Sequence, residues 1–289
     1  MKQELCSMER PLACWKGEER FAGEVLPSLT IILKTGGCRH NRCRMCSYRH
    51  ERYSGDIPIE KLLLSQLEWV VNHYPVAEVS IVKLYTSGSF FDPDEVPPGV
   101  VEQAARLFRG KVVIAETRPE FVDPVRIEAF IAEIDTGLFP TPLFVAMGLE
   151  TTNDAIREKS IDKGFSFSDF KYAVDNARKA GAGIKAYLLH KPLFLTEMEA
   201  LSDMEQSIRD IAGIAHGQDD AVGHFPAEIV HDLEADGLLA FEAVRIDGVH
   251  ERDRVLLLLG ELADHPQRRV EVAVDRDDPG AGHQRLEQL

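Results

Sequence analysis

Through the first 215 residues the chain switches repeatedly between two hydrophobic periods. Short apolar, β-branched runs read as buried strands, and longer stretches with apolar positions three and four apart read as amphipathic helices. Residues 29–33 predict a first strand, and 59–73 a helix with Leu62, Leu63, Leu67 and Val70 on one face. Residues 79–85 predict a second strand stopped by Thr86-Ser87-Gly88, followed by a helix at 98–108 with Pro in its first turn. A third strand at 112–115 and helix at 124–134 follow, then a fourth strand at 143–149 and helix at 168–180. That last helix has Ser168 as candidate N-cap and Gly181 as candidate C-cap. A fifth strand at 184–189 and helix at 197–211 complete the series.

Alternating strands and helices predict an α/β fold with a parallel sheet and crossover helices. A doubly wound sheet and a (β/α) barrel both fit. In either, sites form at the carboxyl ends of strands, where this chain places its polar clusters. Beyond residue 216 the rhythm weakens, with candidate strands at 238–246 and 270–274 and a candidate helix at 250–262.

Composition sharpens that boundary. The 289 residues carry a net charge of −15, of which residues 216–289 supply −10 from seven Arg against seventeen Asp plus Glu. This tail also holds six of the ten His and lacks Ser, Thr, Asn, Tyr, Trp, Cys, Met and Lys. The whole-chain charge argues against a nucleic-acid partner, but the first 215 residues are only mildly acidic at −5, which removes that objection. At 44% hydrophobic and 28% charged, the composition excludes disorder as a whole-chain reading. The N-terminus shows no signal-peptide run, and no segment has the roughly 20 apolar residues of a membrane span. The five Cys are odd in number, and three of them crowd between residues 38 and 46. That fits a reducing, cytoplasmic setting better than a disulfide framework. Cys6 and Cys14 fall in a segment that reads as irregular.

The crowded cysteines are Cys38, Cys43 and Cys46, in a C-x4-C-x2-C loop after the first strand. Gly36 and Gly37 permit a tight entry, and Arg39, Arg42 and Arg44 would favour thiolates. Three protein ligands leave one metal position open, as a catalytic centre requires. Zinc could take the three thiolates with His40 or His50, giving a non-catalytic binding protein. An iron–sulfur cluster could take three thiolates and offer its fourth iron to a substrate.

The surrounding words carry a resemblance. Thr30 through Cys38, Cys43-Arg44-Met45-Cys46-Ser47-Tyr48, Lys83 through Asp92 and Glu116-Thr117-Arg118-Pro119-Glu120-Phe121 are four of them. Gly148-Leu149-Glu150-Thr151, Ile161-Asp162-Lys163-Gly164-Phe165 and Lys185 through Leu189 are three more. Together they resemble the archaeosine-forming radical S-adenosylmethionine (SAM) lyases of archaeal tRNA modification, over about residues 15–212. The resemblance implies a partial (β/α)6 TIM-type barrel. It divides the chain into an N-terminal extension at 1–28, a radical SAM core at 29–215 and an atypical tail at 216–289. The family continues with a sixth strand bearing an Asn-Pro word and a Tyr-Arg-Pro-Pro-Trp-Leu-Trp-like segment, neither of which follows His216. With the composition break, this points to a replaced or truncated C-terminus that leaves the barrel incomplete.

The resemblance further implies that Cys38, Cys43 and Cys46 ligate a [4Fe-4S] cluster whose fourth iron binds SAM. Thr86, Ser87, Gly88 and Ser89 would meet the SAM ammonium. Glu116 and Glu150 would hold the ribose or an ammonium, Arg118 would pair with the SAM carboxylate, and Met45 would pack near adenine. Lys185, Tyr187 and His190 are further candidates, with Lys185 and Tyr187 on one strand face. The implied substrate is tRNA carrying a lysine-modified deazaguanine, from which the lysine-derived fragment leaves. The implied partners are the synthase that attaches lysine and a one-electron reductant. Lys34, Arg39, Arg42, Arg44, Arg49 and Arg52, with Tyr48 and Tyr53, form a basic stretch able to meet phosphates and stack a base. Another radical SAM tRNA modification is the alternative.

Overall fold

The computed structural model describes residues 9–21 and 24–216, with three short strands at 241–243, 258–260 and 269–272. Strand β1 (Ala13–Phe21) folds back antiparallel on β2 (Glu24–Ile32). The chain then runs through α1 (Ile59–His73), β3 (Ile81–Tyr85), α2 (Pro98–Leu107), β4 (Val112–Glu116) and α3 (Pro124–Ile134). It continues through β5 (Leu143–Glu150), a single turn α4 (Asp154–Ile156), α5 (Phe167–Lys179), β6 (Gly183–Leu189) and α6 (Glu197–His216). Among the described residues, no helix is long and apolar enough to cross a membrane.

Strands β2 to β6 pair in parallel and in sequence order. In-order pairing with right-handed crossovers places every connecting helix on the same face. One apolar cluster shows this, joining Leu29, Val82, Val113, Val145 and Ala186 of the strands to Leu67, Ala104, Phe130, Phe170 and Met204 of the helices. The sheet is therefore singly wound, which decides between the two α/β readings in favour of a partial barrel. Residues two apart on the strands form a second, smaller cluster on the inner face, from Phe21, Ile81, Ile114, Phe144 and Tyr187.

The inner face also buries charge. The Glu19 carboxylate of β1 accepts from Lys83 Nζ of β3 at 2.9 Å and from Lys185 Nζ of β6 at 2.8 Å. All three side chains are at least nine-tenths buried. Because β1 lies at one edge of the sheet and β6 five positions away, only a curled sheet lets one carboxylate reach both. The Tyr85 and Tyr187 hydroxyls, 2.7 Å apart, make a second link across the same interior. Lys185 and Tyr187 thus share one face, as their alternation predicts.

Several expectations change. The N-terminal segment around Cys14 is not irregular: it is β1, and its pairing draws β2 five residues earlier than the apolar pattern indicates. Helix α5 starts after Ser166, whose side chain accepts from the Asp169 N–H while the Asp169 side chain returns to the Ser166 N–H, so Ser166 rather than Ser168 is the cap. Gly181, at φ +80°, closes the helix as expected. Beside β6, among the described residues, there is no sixth parallel strand; Arg269–Val272 pairs there antiparallel. Phe241–Ala243 pairs with Leu258–Gly260, so that end of the expected 250–262 helix is strand. The remainder of that helix, Cys6, and the outer parts of the two tail strands lie outside the described residues.

Removing one member of a buried charge network costs far more than an exposed pair returns. Glu19→Ala is expected to lower the unfolding free energy by about 3–5 kcal/mol, measured by chemical denaturation. A loss below about 1 kcal/mol, the worth of an exposed pair, would show that the carboxylate does not hold the curl.

Candidate functional site

The loop after β2 carries all three crowded cysteines. It enters through Gly37, whose φ of +99° suits glycine, while the Thr35 Oγ accepts from the Gly37 N–H at 3.1 Å. A buried carboxylate fixes this entry to the next strand end. Glu95 Oε1 accepts from the Thr35 hydroxyl at 2.7 Å, and Oε2 accepts from the Ser89 N–H at 2.8 Å. Gly88 lies so close to the loop that a Cβ there would stand 2.7 Å from Cys38 Cα. On the outer side, Arg39 binds the buried Asp92 carboxylate through Nε at 3.2 Å and Nη2 at 2.6 Å.

A second segment docks from the other side. Beyond β5 the chain passes through π-helical turns (Arg157–Ile161), which place Asp162 and Gly164 at φ +57° and +76°. The Ile161 carbonyl accepts from the Arg44 N–H at 2.8 Å, and the Asp162 carbonyl lies 2.6 Å from His40 Nε2. The Arg118 guanidinium donates to the Lys163 carbonyl at 2.9 Å and to Glu120 Oε1 at 2.6 Å, and lies over the Phe165 ring.

These segments surround one open cleft of about 680 Å³, counting its mouth. Cys38, Cys43 and Cys46 all line it, with Met45 between them. Thr86, Ser87 and Gly88 enter from the end of β3, and Glu116 and Arg118 from the end of β4. Ser89 and Glu150 do not reach the wall. Ser89 is buried behind it, its Oγ accepting from the Arg118 N–H at 3.0 Å. Glu150 accepts at 2.7 Å from Lys163 Nζ, and that lysine lines the cleft.

The cleft also contains Asn41, Thr117, Gly148 and Lys163, to which the sequence reading gave no role, and Tyr48 and Arg49 of the basic stretch line it too. The words Ile161–Phe165 and Gly148–Thr151 carried the available signal. Asn41 Oδ1 and Thr117 Oγ are buried and have no hydrogen-bond partner within the protein. Lys185 and Tyr187 lie in the barrel interior and do not line the cleft.

The electrostatics are mixed. Burial pushes the Cys43 thiol pKa up, and Lys163 and Arg118 oppose that push. Burial also raises the Glu95 carboxyl, against the hydrogen bonds from Thr35 and Ser89. The basic stretch is partly consumed, since Arg39 is held by Asp92 and Asp94. Arg42, Arg44, Arg49 and Arg52 are exposed. Neither candidate zinc histidine lines the cleft: His40 turns to the Asp162 carbonyl, and His50 accepts from Arg49 at 3.3 Å.

No known family profile matches the chain. It is 36% identical over 212 residues to archaeosine synthase subunit beta of Methanosarcina acetivorans, covering 71% of this chain and 60% of that protein. It is 37% identical over 213 residues to archaeosine synthase subunit beta of Thermococcus kodakarensis, covering 67% and 61%. The chain thus spans about 60% of the length of these curated relatives. Among solved structures, the queuine lyase from Clostridium spiroforme bound to SAM and queuine is similar at 17% identity and TM-score 0.40, over 71% of this chain and 92% of that one. The resemblance read from the cysteine loop and the strand-end words is borne out: the chain is a homologue of the proteins named archaeosine synthase subunit beta.

Two outcomes follow from the geometry. Gly88→Ala is expected to cut iron incorporation on reconstitution to below about half while leaving the far-ultraviolet spectrum unchanged, because its Cβ would stand 2.5 Å from the buried Glu95 Oε2 and 2.7 Å from Cys38 Cα. Full incorporation would show that the close approach is dispensable. The second concerns pH. The folded-state pKa of Glu95 lies above its unfolded value, so the folded protein binds more protons across that window. Its contribution therefore falls as pH rises from the ordinary glutamate range through the raised pKa. The stability of wild type relative to Glu95→Gln, from denaturation at a series of pH values, should decline over that range. A flat or rising difference would contradict the assignment.

Proposed function

We infer that this chain, a homologue of proteins named archaeosine synthase subunit beta, is a radical SAM enzyme of tRNA modification. The observation that carries the reading is the convergence of Cys38, Cys43 and Cys46 with the ends of β3, β4 and β5 on one cleft. The donor set fits a [4Fe-4S] cluster: three thiols on a glycine-entered loop, no cleft-lining histidine to complete a zinc set, and room beside them for a ligand.

When bound, the cluster would supply one electron to the SAM sulfonium, whose carbon–sulfur cleavage gives the 5′-deoxyadenosyl radical that takes hydrogen from the substrate. The chain's own residues position and shield. Thr86, Ser87 and Gly88 offer carbonyls and a hydroxyl pair to the SAM ammonium. Glu116 holds the ribose, and Glu150 acts from behind Lys163. Met45 packs beside adenine. Ser89, buried behind the wall, holds the Arg118 backbone. The substrate is tRNA bearing a lysine-modified deazaguanine, cleaved to leave the amidine of archaeosine on the base. The exposed Arg42, Arg44, Arg49 and Arg52 supply phosphate contacts around the mouth, and Tyr48 at its edge supplies a stacking surface. The lysine-attaching synthase provides the substrate, and a cytoplasmic reductant provides the electron.

Anaerobic reconstitution tests this directly. About four irons and four sulfides per chain are expected, falling sharply in Cys38→Ser, Cys43→Ser and Cys46→Ser. Reduction with SAM present should release 5′-deoxyadenosine, and tRNA bearing the lysine-modified base should be converted to archaeosine. A colourless protein holding one zinc would sink the reading. Release of 5′-deoxyadenosine with no conversion of that tRNA, but with conversion of another, would move it to a different tRNA modification.

A further inference from the structure

Arg118 has the planar fork suited to a carboxylate, yet two of its five donors, on Nε and Nη2, are already committed. Nε is given to Glu120 and Nη2 to the Lys163 carbonyl, with the guanidinium face against Phe165. What this arrangement fixes is the segment that brings the Lys163 ammonium into the cleft. Nζ donates to Glu150 Oε1 at 2.7 Å, which uses one of its three donors. The pair sits over Gly148, where a Cβ would lie 2.7 Å from both Nζ and Oε1.

The lysine's support is costly. Glu150 has φ +69°, a left-handed backbone that a non-glycine residue adopts only when its surroundings impose it. The buried Arg157 imposes it, donating through Nε to the Leu149 carbonyl at 3.3 Å and through Nη2 to the Thr151 carbonyl, on either side of Glu150. Arg157 also faces the Phe165 ring. A strained carboxylate, a fully buried arginine and a glycine-floored pair converge on one ammonium. The same cleft is lined by Thr117 and Asn41, whose buried Oγ and Oδ1 have no partner within the protein. An acceptor and a hydroxyl lining one cleft with a cation match the chemistry of an α-amino-acid group.

We propose that Lys163, rather than Arg118, is the cation that binds the carboxylate of an α-amino-acid ligand in this cleft, with Arg118 and Arg157 as positioning residues. The assignment rests on the radical SAM reading. Two molecules carry this chemistry, SAM itself and the lysine group of the substrate.

The test is binding to reconstituted, unreduced protein, so that no turnover intervenes. The first pair of probes is SAM and decarboxylated SAM; the second, with SAM present, is lysine and 1,5-diaminopentane. Within one pair, Lys163→Met is expected to lower the ratio of affinities, carboxylate-bearing over carboxylate-lacking, by roughly tenfold. Lys163→Arg should retain the ratio, and Arg118→Met should weaken both members without changing it. The pair that responds identifies the source of the carboxylate. The proposal is overturned if Lys163→Met leaves both ratios unchanged, or if Arg118→Met is the variant that abolishes one. Wild-type protein that incorporates no cluster and binds neither form of SAM would overturn the radical SAM reading, and the proposal with it.

Discussion

The Glu19 carboxylate, shared between Lys83 and Lys185 inside the sheet, ties the edge strand to two strands of the interior and so constrains the curl. A parallel sheet in sequence order is not by itself a barrel. It must curl before the loops at its carboxyl ends meet over one space. The two lysines stand on strands separated by two others, and neither would be buried without a partner of opposite charge. Tying both to the edge strand converts their desolvation cost into a constraint on curvature.

Curvature then makes the cleft, and a second buried carboxylate makes it specific. Glu95 links the entry of the cysteine loop to the end of β3, so that the thiols and Thr86-Ser87-Gly88 share one frame. The Ile161–Phe165 segment closes the far side through backbone bonds to the cysteine loop, and it carries Lys163 with it. Each wall of the cleft is thus positioned by a polar group buried behind it.

Much of this was legible in the sequence. Strands β3 to β6 and the helices between them follow from apolar periodicity, because each buries one continuous face. The cysteine spacing and the strand-end words marked Cys38, Cys43, Cys46, Thr86, Ser87, Gly88, Glu116 and Arg118, all of which line the cleft. Strand β1 was not legible, because Lys16, Glu18, Glu19 and Arg20 break any apolar run in a segment that reads as irregular, and only tertiary pairing turns Glu19 inward. Lys163 was assigned no role because it lies thirteen residues beyond Glu150, and a reading that looks just past each strand does not extend through a π-helical turn. Sequence does not show that Glu120 and the Lys163 carbonyl already take the Nε and Nη2 donors of Arg118. The composition change at 216 falls at the end of α6, and residues 217–240 after it lie outside those described.

In the proposed function the three thiols hold an iron–sulfur cluster with one iron open to a ligand from the cleft. The most direct measurement is electron paramagnetic resonance of the reduced, reconstituted protein with and without SAM. A [4Fe-4S] signal whose g-values shift when SAM is added is the predicted result. A signal unchanged by SAM, or no cluster signal in protein that folds normally, would contradict it.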